Sequence, residues 1–352
     1  MNKLQENRDI SPQEFVDQLL NEGSMIPCDN TNESFNQQGD AVPPYFDKRL
    51  FKIGQKLYQK HMYAMDVMHC FGVMLLYSIK SAFDVAISAA GPDATVYDLF
   101  IRQMNTNKNL QLFYDADFEP GSREWKAITK TKLRHNAVSK GSIKQGFNAL
   151  TQKEMVLGQW FIAGFNLVRG EMAGIHNVSE EEWLGFHHYW RVIGFLIGIE
   201  ERFNVCSVPI DTTRKISEIL LAQVFNPEMT KRTPEYLMVT KITGYCWAPI
   251  LPDLEAKSAA NYTFNLTKPK NGSKFPQPNF MEMNWFSRMY YYYFMFVLLY
   301  LLKWDFFRAV RNFIHRANFY LIKNFPIVPR IQCEISQYLH FDKNAEKRYG
   351  LN

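Results

Sequence analysis

WKAITKTKLRHNAVS, residues 125–139, carries its apolar side chains at the spacing of an amphipathic helix. Trp125 and Ile128 lie at positions i and i+3, and the same helical face continues to Lys132 and His135. A cation and an imidazole therefore stand where Leu or Val is expected. Because a buried ionisable group is costly unless it has a partner, an inward His135 requires a hydrogen-bond partner, a substrate or a metal.

A second decisive stretch is HHYWRVIGFLIGIEERFN, residues 187–204, which follows a capping box formed by Ser179 and Glu182. Its two adjacent histidines, His187 and His188, resemble a metal-binding pair. Neighbouring helical residues point about 100° apart, so these two cannot share one ion. We expect both to pack in the core and to form hydrogen bonds.

Helical periodicity dominates residues 46–250, and strand-like alternation is scarce. One predicted helix places Asp98, Arg102, Asn105 and Thr106 along a polar stripe, which is typical of a solvated helix face with an Asp98–Arg102 pair. The pattern as a whole predicts an all-α bundle.

Composition divides the remainder of the chain. Residues 1–45 are polar and predict a flexible segment with one short helix, which begins at a capping box. Residues 251–284 contain four prolines and three Asn-X-Ser/Thr sequons, and we interpret them as a polar Pro-rich linker rather than a glycosylated segment. The composition of residues 285–325 predicts an apolar and basic helical segment. We interpret residues 326–352 as a C-terminal tail.

The aromatic run WFSRMYYYYFMFVLLYLL, residues 285–302, leaves two interpretations open. Its uninterrupted apolar part is shorter than the roughly 20 residues that a membrane-spanning helix needs. Trp and Tyr beside a basic flank are typical of a helix at a membrane surface. A core helix of the bundle would show the same short run. If the segment does span, the basic residues after it place the C-terminal tail in the cytosol.

Composition also restricts location and partners. The net charge of +5, from 40 basic and 35 acidic residues, is too small to indicate a nucleic-acid-binding protein. The five cysteines are widely spaced and contain no CxxC, which indicates reduced thiols. The polar N-terminus predicts that there is no signal peptide. We expect an intracellular protein, attached to the ER or another membrane if residues 285–302 contact a bilayer.

Three motifs carry a resemblance to a known enzyme family: FEPGS at residues 118–122, LRHNA at 133–137, and the long run at 187–204. They resemble the catalytic domain shared by latex-clearing rubber oxygenase and the ER-bound oxygenase of mycophenolic acid biosynthesis. The resemblance covers residues 60–250. It implies a globin-like all-α fold, one b-type haem, dioxygen as a reactant and an apolar alkene, such as an isoprenoid, as the substrate.

The resemblance also implies roles for individual residues. His135 matches the proximal axial ligand, and neutral imidazole is the usual proximal haem ligand. Lys132 stands where the rubber enzyme has an arginine, and it keeps a cation that can pair with a haem propionate. Arg102, Asn105 and Thr106 match a distal Arg-x-x-Lys-Thr pattern in which asparagine replaces the lysine. Because an amide is a weak iron ligand, we expect an open or water-occupied distal position.

The implied function is oxidative cleavage of C=C bonds in an isoprenoid or other apolar, lipid-like substrate. Arg102 and Thr106 would donate hydrogen bonds to the oxygen or orient the substrate, and Asp84 is the nearest candidate for the family's distal acidic base.

Two alternatives stay open. One is a haem-binding carrier or sensor without turnover. The other is a haem-free, membrane-attached scaffold in which Lys132 and His135 form a hydrogen-bonded pair inside the bundle.

Overall fold

A computed structural model of the chain describes residues 10–29, 42–90, 95–115, 119, 121–269, 277–325, 327 and 329–331. The described part is helical and holds no β-strand, so the predicted all-α class is confirmed. Parts of three predicted features lie outside the described residues: residues 30–41 of the flexible segment, Phe118 and Pro120 of the FEPGS motif, and residues 332–352 of the tail.

The helices follow one another closely along the chain. They are α1 (Pro12–Asn21), α2 (Lys48–Leu76), α3 (Lys80–Ala90), α4 (Val96–Asp115), α5 (Arg123–Lys144), α6 (Gln152–Ile162), α7 (Gly164–Arg169), α8 (Glu180–Ile197), α9 (Ile210–Leu220), α10 (Asn226–Thr230), α11 (Pro234–Trp247), α12 (Ala256–Leu266), α13 (Trp285–Leu299) and α14 (Asp305–Asn324). Short 3-10 helices occupy Gly170–Ala173 and Leu301–Lys303, and a π-helical turn occupies Leu221–Phe225.

The chain divides into two units, each assembled from separate segments. Unit 1 comprises Met1–Gln59, Lys108–Val168 and Val178–Leu220, and unit 2 comprises Lys60–Asn107, Arg169–Asn177 and Leu221–Asn352. The predicted boundaries at residues 45, 250 and 284 follow composition along the chain. The units do not, because packing joins segments that are distant in sequence.

Local hydrogen bonds explain where the helices of unit 1 begin. The capping boxes at Ser11 and at Ser179 are both present, as predicted. Ser122 caps α5 by accepting a hydrogen bond from the Trp125 N–H at 3.1 Å. α8 ends at Gly198, whose φ of +100° lies in the left-handed region that favours glycine.

A close approach of two backbones fixes the packing of α2 on α8 within unit 1. A Cβ added at Gly54 would lie 2.5 Å from the carbonyl oxygen of Gly185. A Cβ at Gly185 would in turn lie 2.6 Å from Cγ2 of Ile53. Only glycine at both positions allows this contact, because an alanine methyl would overlap the facing helix.

α12 corrects the prediction of a polar linker at residues 251–284. It is a helix in which every residue except Lys257 is buried, and the side-chain amides of its asparagines bind the segment that follows. Asn261 Oδ1 accepts from the backbone N–H of Phe280 at 2.8 Å, and Asn265 Nδ2 donates to Gln277 O at 3.0 Å. The linker prediction is wrong for residues 256–266, because the asparagines that made this segment look polar satisfy buried backbone groups.

The aromatic run at 285–302 forms α13, with one face buried and the other exposed. Tyr291, Phe294 and Leu298 are buried, whereas Trp285, Tyr292 and Phe296 are exposed. α14 continues the predicted helical segment. Among the described residues no single helix is long and apolar enough to cross a membrane. α2 and Lys80–Ala86 of α3 reach the length and apolar character of a membrane-spanning helix only when taken together, and a bend of 106° separates them.

Candidate functional site

His135 lies on α5, and its side chain has the charge state and the unpartnered nitrogen that a metal ligand needs. The residue is half-buried, and its Nδ1 is sequestered with no hydrogen-bond partner. Burial alone lowers the pKa of His135 to about 4, so the imidazole is neutral near pH 7. A neutral imidazole has a lone pair available for iron, whereas an imidazolium has none.

Lys132 lies one turn before His135, on the buried face of the same helix, as the periodicity predicts. Burial lowers the pKa of its ammonium group. Its stem lies against Gly198, where an added Cβ would be 3.4 Å from Cε of Lys132. The Nδ1 of His135 has no hydrogen-bond partner, so this nitrogen does not form the Lys132–His135 pair of the scaffold alternative. The role of Lys132 toward a propionate stays a prediction.

Arg102 and Thr106 lie on α4 and together line a cavity of about 110 Å³ in unit 2. Arg102 Nη1 donates to Ala86 O, and Thr106 Oγ1 donates to Arg102 O, each at 3.1 Å. Asn105 is exposed on another side of the helix and does not line this cavity. The structure therefore brings two of the three predicted distal residues to one cavity, and the third stays a prediction without that support.

The prediction of an ion pair between Asp98 and Arg102 is wrong. The Asp98 carboxylate instead accepts hydrogen bonds from the backbone N–H and the hydroxyl of Thr95, at 2.9 and 2.6 Å. These bonds cap α4 and lower the pKa of Asp98. A cap satisfies an otherwise unpaired backbone donor, which a surface ion pair one turn further along does not. Arg102 is consequently available to the cavity.

The sequence did not indicate several of the cavity residues, because they come from the regions of α2 and α11, which are distant from Arg102 along the chain. Tyr77 follows α2, and Trp247 ends α11. Trp247 Nε1 and Gln103 Nε2 are buried donors without a hydrogen-bond partner. Together with Arg102, they give the cavity a set of donors within a mainly apolar lining, and the Thr106 hydroxyl, whose proton goes to Arg102 O, can act as an acceptor. No local motif marks Trp247, since it lies far along the chain from Arg102.

His69 is a second buried imidazole that the sequence analysis missed. Its ring meets the Trp247 ring edge-on, with the centroids 5.1 Å apart. Burial lowers the pKa of His69 to about 4, against the opposing effect of Asp66. Asp66 and His69 are spaced at i and i+3 inside an apolar run, and this spacing is the sequence signal that could have indicated both of them. Asp66 accepts from Nε2 of His315 at 2.7 Å, with both side chains buried.

Asp84, the candidate acidic base, forms an ion pair with Lys80, with 2.8 Å between Nζ and Oδ1. It does not line the cavity of Arg102 and Thr106. The ion pair lies within α3 at i and i+4, where such pairs commonly stabilise an exposed helix. Its role as a base stays a prediction.

His187 and His188 have the separate hydrogen-bonded roles that their spacing predicts. His187 Nε2 lies 2.8 Å from Thr213 Oγ1, and His188 Nε2 accepts from the backbone N–H of Asp47 at 3.0 Å. Across the described residues, no group of three or more His, Cys, Asp or Glu side chains could hold a metal ion. A haem needs only one protein ligand on its proximal side, and His135 fits that requirement.

We expect the buried histidines to make the protein less stable in mild acid. Burial, and secondarily the Arg191 cation, lowers the pKa of His187 to about 3, whereas an unfolded histidine titrates near 6.5. The unfolded state therefore takes up the proton first, and stability falls as the pH drops below 6.5. One such group contributes a slope of at most about 1.4 kcal/mol per pH unit.

The measurement is urea denaturation at pH 7.0 and 5.5 for the wild type and His187→Gln. The glutamine amide can still bond Thr213 but does not titrate. We expect a smaller loss of stability in the variant than in the wild type. Equal losses would contradict the assignment of this pH dependence to His187.

Comparison with known proteins adds one finding. A solved structure, that of latex clearing protein LCP in the closed state, is similar to this chain with a TM-score of 0.57 and 16% sequence identity, over 88% of this chain and 86% of the other. The chain has the fold of latex clearing protein. No protein-family model and no curated protein sequence matches. The similarity to latex clearing protein agrees with the family resemblance carried by the sequence motifs.

Proposed function

We propose that this protein is a haem b-dependent oxygenase that cleaves C=C bonds in an isoprenoid or other apolar, lipid-like substrate. The observation that carries the proposal is His135, whose neutral, desolvated imidazole has a buried nitrogen without a partner. It lies at the position that the resemblance assigns to the axial ligand. The shared fold with latex clearing protein supports the same assignment.

In this proposal His135 would hold the haem iron, and the Lys132 ammonium would pair with a propionate. Bound haem supplies the activation of dioxygen, which side chains cannot perform. Arg102 has guanidinium donors beyond the one that Ala86 accepts, and these would orient the oxygen or the substrate. Apolar side chains such as Val73 and Leu99 exclude water from the same cavity.

The deciding experiment is an absorption spectrum of the full chain, purified with haem supplied during expression, before and after dithionite. We expect a Soret band that shifts on reduction and again with carbon monoxide, and steady oxygen uptake with an alkene substrate. A Soret band without oxygen uptake would favour the carrier or sensor alternative. A protein that stays colourless after haem is added would contradict both haem-based functions and favour the scaffold.

We expect Arg102→Ala to lower the rate of oxygen uptake by about 10²-fold, because a donor preorganised toward developing charge contributes an effect of this size. The ferric Soret spectrum should stay unchanged, since Arg102 is not the proposed axial ligand. Lys108→Ala is the matched control, an exposed cation on the same helix. A loss of haem from Arg102→Ala, or an unchanged rate, would contradict the proposed role.

We further propose that unit 2 contacts a membrane surface, with α13 and α14 lying at the interface. The exposed faces of these helices, together with Trp304 directly before α14, present large apolar and aromatic side chains: Trp285, Phe286, Met289, Tyr292, Tyr293, Phe296, Phe306, Phe307, Phe313 and Tyr320. Exposed basic residues flank them, namely Arg288, Lys303, Arg316 and Lys323. Aromatic side chains beside cations suit the interface of an anionic bilayer.

We expect the protein to sediment with vesicles that contain phosphatidylserine and less with vesicles of phosphatidylcholine alone. The double variant Trp304→Ala with Phe313→Ala should weaken partitioning by about 10²-fold, since each ring loses apolar burial in the interface. Leu133→Ala, an exposed apolar residue of unit 1, is the control. Equal sedimentation of the double variant and the wild type would contradict the membrane contact.

A further inference from the structure

A second cavity in unit 2, of about 380 Å³, shares no residue with the cavity of Arg102 and Thr106. α14 forms one wall, through Phe313, Ile314 and Leu321. Tyr63 of α2 and Asp253, from the loop after α11, form the other. A volume of this size is in the range of small-molecule sites. α14 also contributes Arg311, His315 and Asn318 to the lining. The cavity therefore combines apolar side chains with a polar end formed by Tyr63, Asp253 and Arg311.

The polar end contains an incomplete ion pair. Asp253 Oδ2 accepts hydrogen bonds from the Tyr63 hydroxyl at 2.7 Å and from Arg311 Nη2 at 2.6 Å. The other two atoms of a bidentate pair, Asp253 Oδ1 and Arg311 Nε, are buried without a hydrogen-bond partner. The guanidinium also lies 4.2 Å from the centre of the Tyr63 ring, which holds it in place. One acceptor and one donor therefore remain to be satisfied by a ligand.

Hydrogen bonds of Asn318, one of the lining residues, hold the walls of the cavity in position. Asn318 Nδ2 donates to the carbonyls of Pro249 and Ile250, at 2.7 and 3.0 Å, and so ties the loop that carries Asp253 to α14. Among the apolar lining residues, Phe313 is 72% exposed and Leu321 is 54% exposed. The polar end of the site is therefore preorganised, and its apolar side chains are open to solvent.

We propose that this cavity binds the hydroxyl end of a long-chain alcohol, with the alkyl chain along Phe313, Ile314 and Leu321. A hydroxyl donates its proton to Asp253 Oδ1 and accepts from Arg311 Nε with the same oxygen. A fatty carboxylate has no proton to donate and is repelled by Asp253. An alkylammonium has no lone pair for Arg311. The site therefore selects an alcohol over both charged amphiphiles, independently of any haem chemistry in this protein.

The test is isothermal titration calorimetry of the full chain with 1-decanol, decyl methyl ether and decanoate. We expect 1-decanol to bind at least about tenfold more tightly than the ether or decanoate, since only the alcohol makes both hydrogen bonds. Arg311→Lys keeps the positive charge but removes the Nε donor, and it should weaken 1-decanol binding about tenfold. Equal affinity for the alcohol and the ether, or no binding of 1-decanol, overturns the proposal.

Ala317→Phe provides a second, independent variant. Ala317 lines the cavity on α14, so a phenyl ring there fills the apolar end while the Asp253–Arg311 pair stays intact. We expect it to abolish binding of both the alcohol and the ether. Phe306→Ala, at an exposed position of α14 outside the cavity, is the control and should bind 1-decanol like the wild type. Wild-type binding by Ala317→Phe overturns the proposal even if Arg311→Lys fails to fold.

Discussion

Alanine at position 135 is expected to remove the Soret absorbance of protein purified with haem supplied, and with it the oxygen uptake. The substitution deletes the one side chain that we assign to the iron, and haem affinity should fall by more than about 10²-fold. The fold should persist, because the Nδ1 of His135 makes no hydrogen bond that alanine would break. Difference spectra during haem titration of the apoprotein measure the effect.

Two controls separate coordination from folding in this experiment. His188→Gln alters another half-buried histidine whose pKa is lowered by burial to about 4, and it should leave the spectrum unchanged. Added imidazole should restore a Soret band to the His135→Ala protein, because a free ligand can occupy the position of the lost ring. Haem binding by His135→Ala with an unchanged spectrum would show that the axial assignment is wrong.

The substitution Asn261→Leu should lower the free energy of unfolding by about 3–5 kcal/mol, the largest stability effect that we expect. Asn261 Nδ2 donates to Lys257 O and Met281 O, at 2.9 and 3.0 Å. Its Oδ1 accepts from the backbone N–H groups of Phe280 and Met281, at 2.8 and 3.2 Å. Leucine has a similar size but satisfies none of these groups. Urea denaturation at pH 7 measures the difference.

Asn148→Leu is the matched control, since Asn148 is exposed. This change should shift the free energy of unfolding by no more than about 0.5 kcal/mol. A loss below about 1 kcal/mol for Asn261→Leu would show that its hydrogen bonds do not hold residues 280–281 to α12. The same amide cannot carry a glycan in the folded protein, because both of its polar atoms are occupied.

The elements that the sequence predicted well depend on interactions between residues close in the chain. The capping boxes at Ser11 and Ser179 are present, because a cap hydrogen bond joins residues three positions apart. The buried face of α5, with Trp125, Ile128 and Lys132, follows from the helical repeat. The all-α class follows from the same repeat summed over the chain.

The predictions that failed, or that found only part of a site, depend on distant residues. Residues 256–266 looked like linker, because a local pattern cannot show that Asn261 completes the backbone of residues 280–281. Asp98 caps its own helix rather than pairing with Arg102. Trp247 joins Arg102 at one cavity although it lies on another helix far along the chain.

The sequence by itself determined the helical class, the helix starts and the inward face that carries Lys132 and His135. These features arise from caps and from a repeat that act within four residues of each position. Only the tertiary structure decided that His135 is neutral with a buried nitrogen free of partners, and that Asp253 and Arg311 form an incomplete pair. Desolvation and the completion of buried hydrogen bonds depend on which distant side chains surround a group, and no local pattern encodes that.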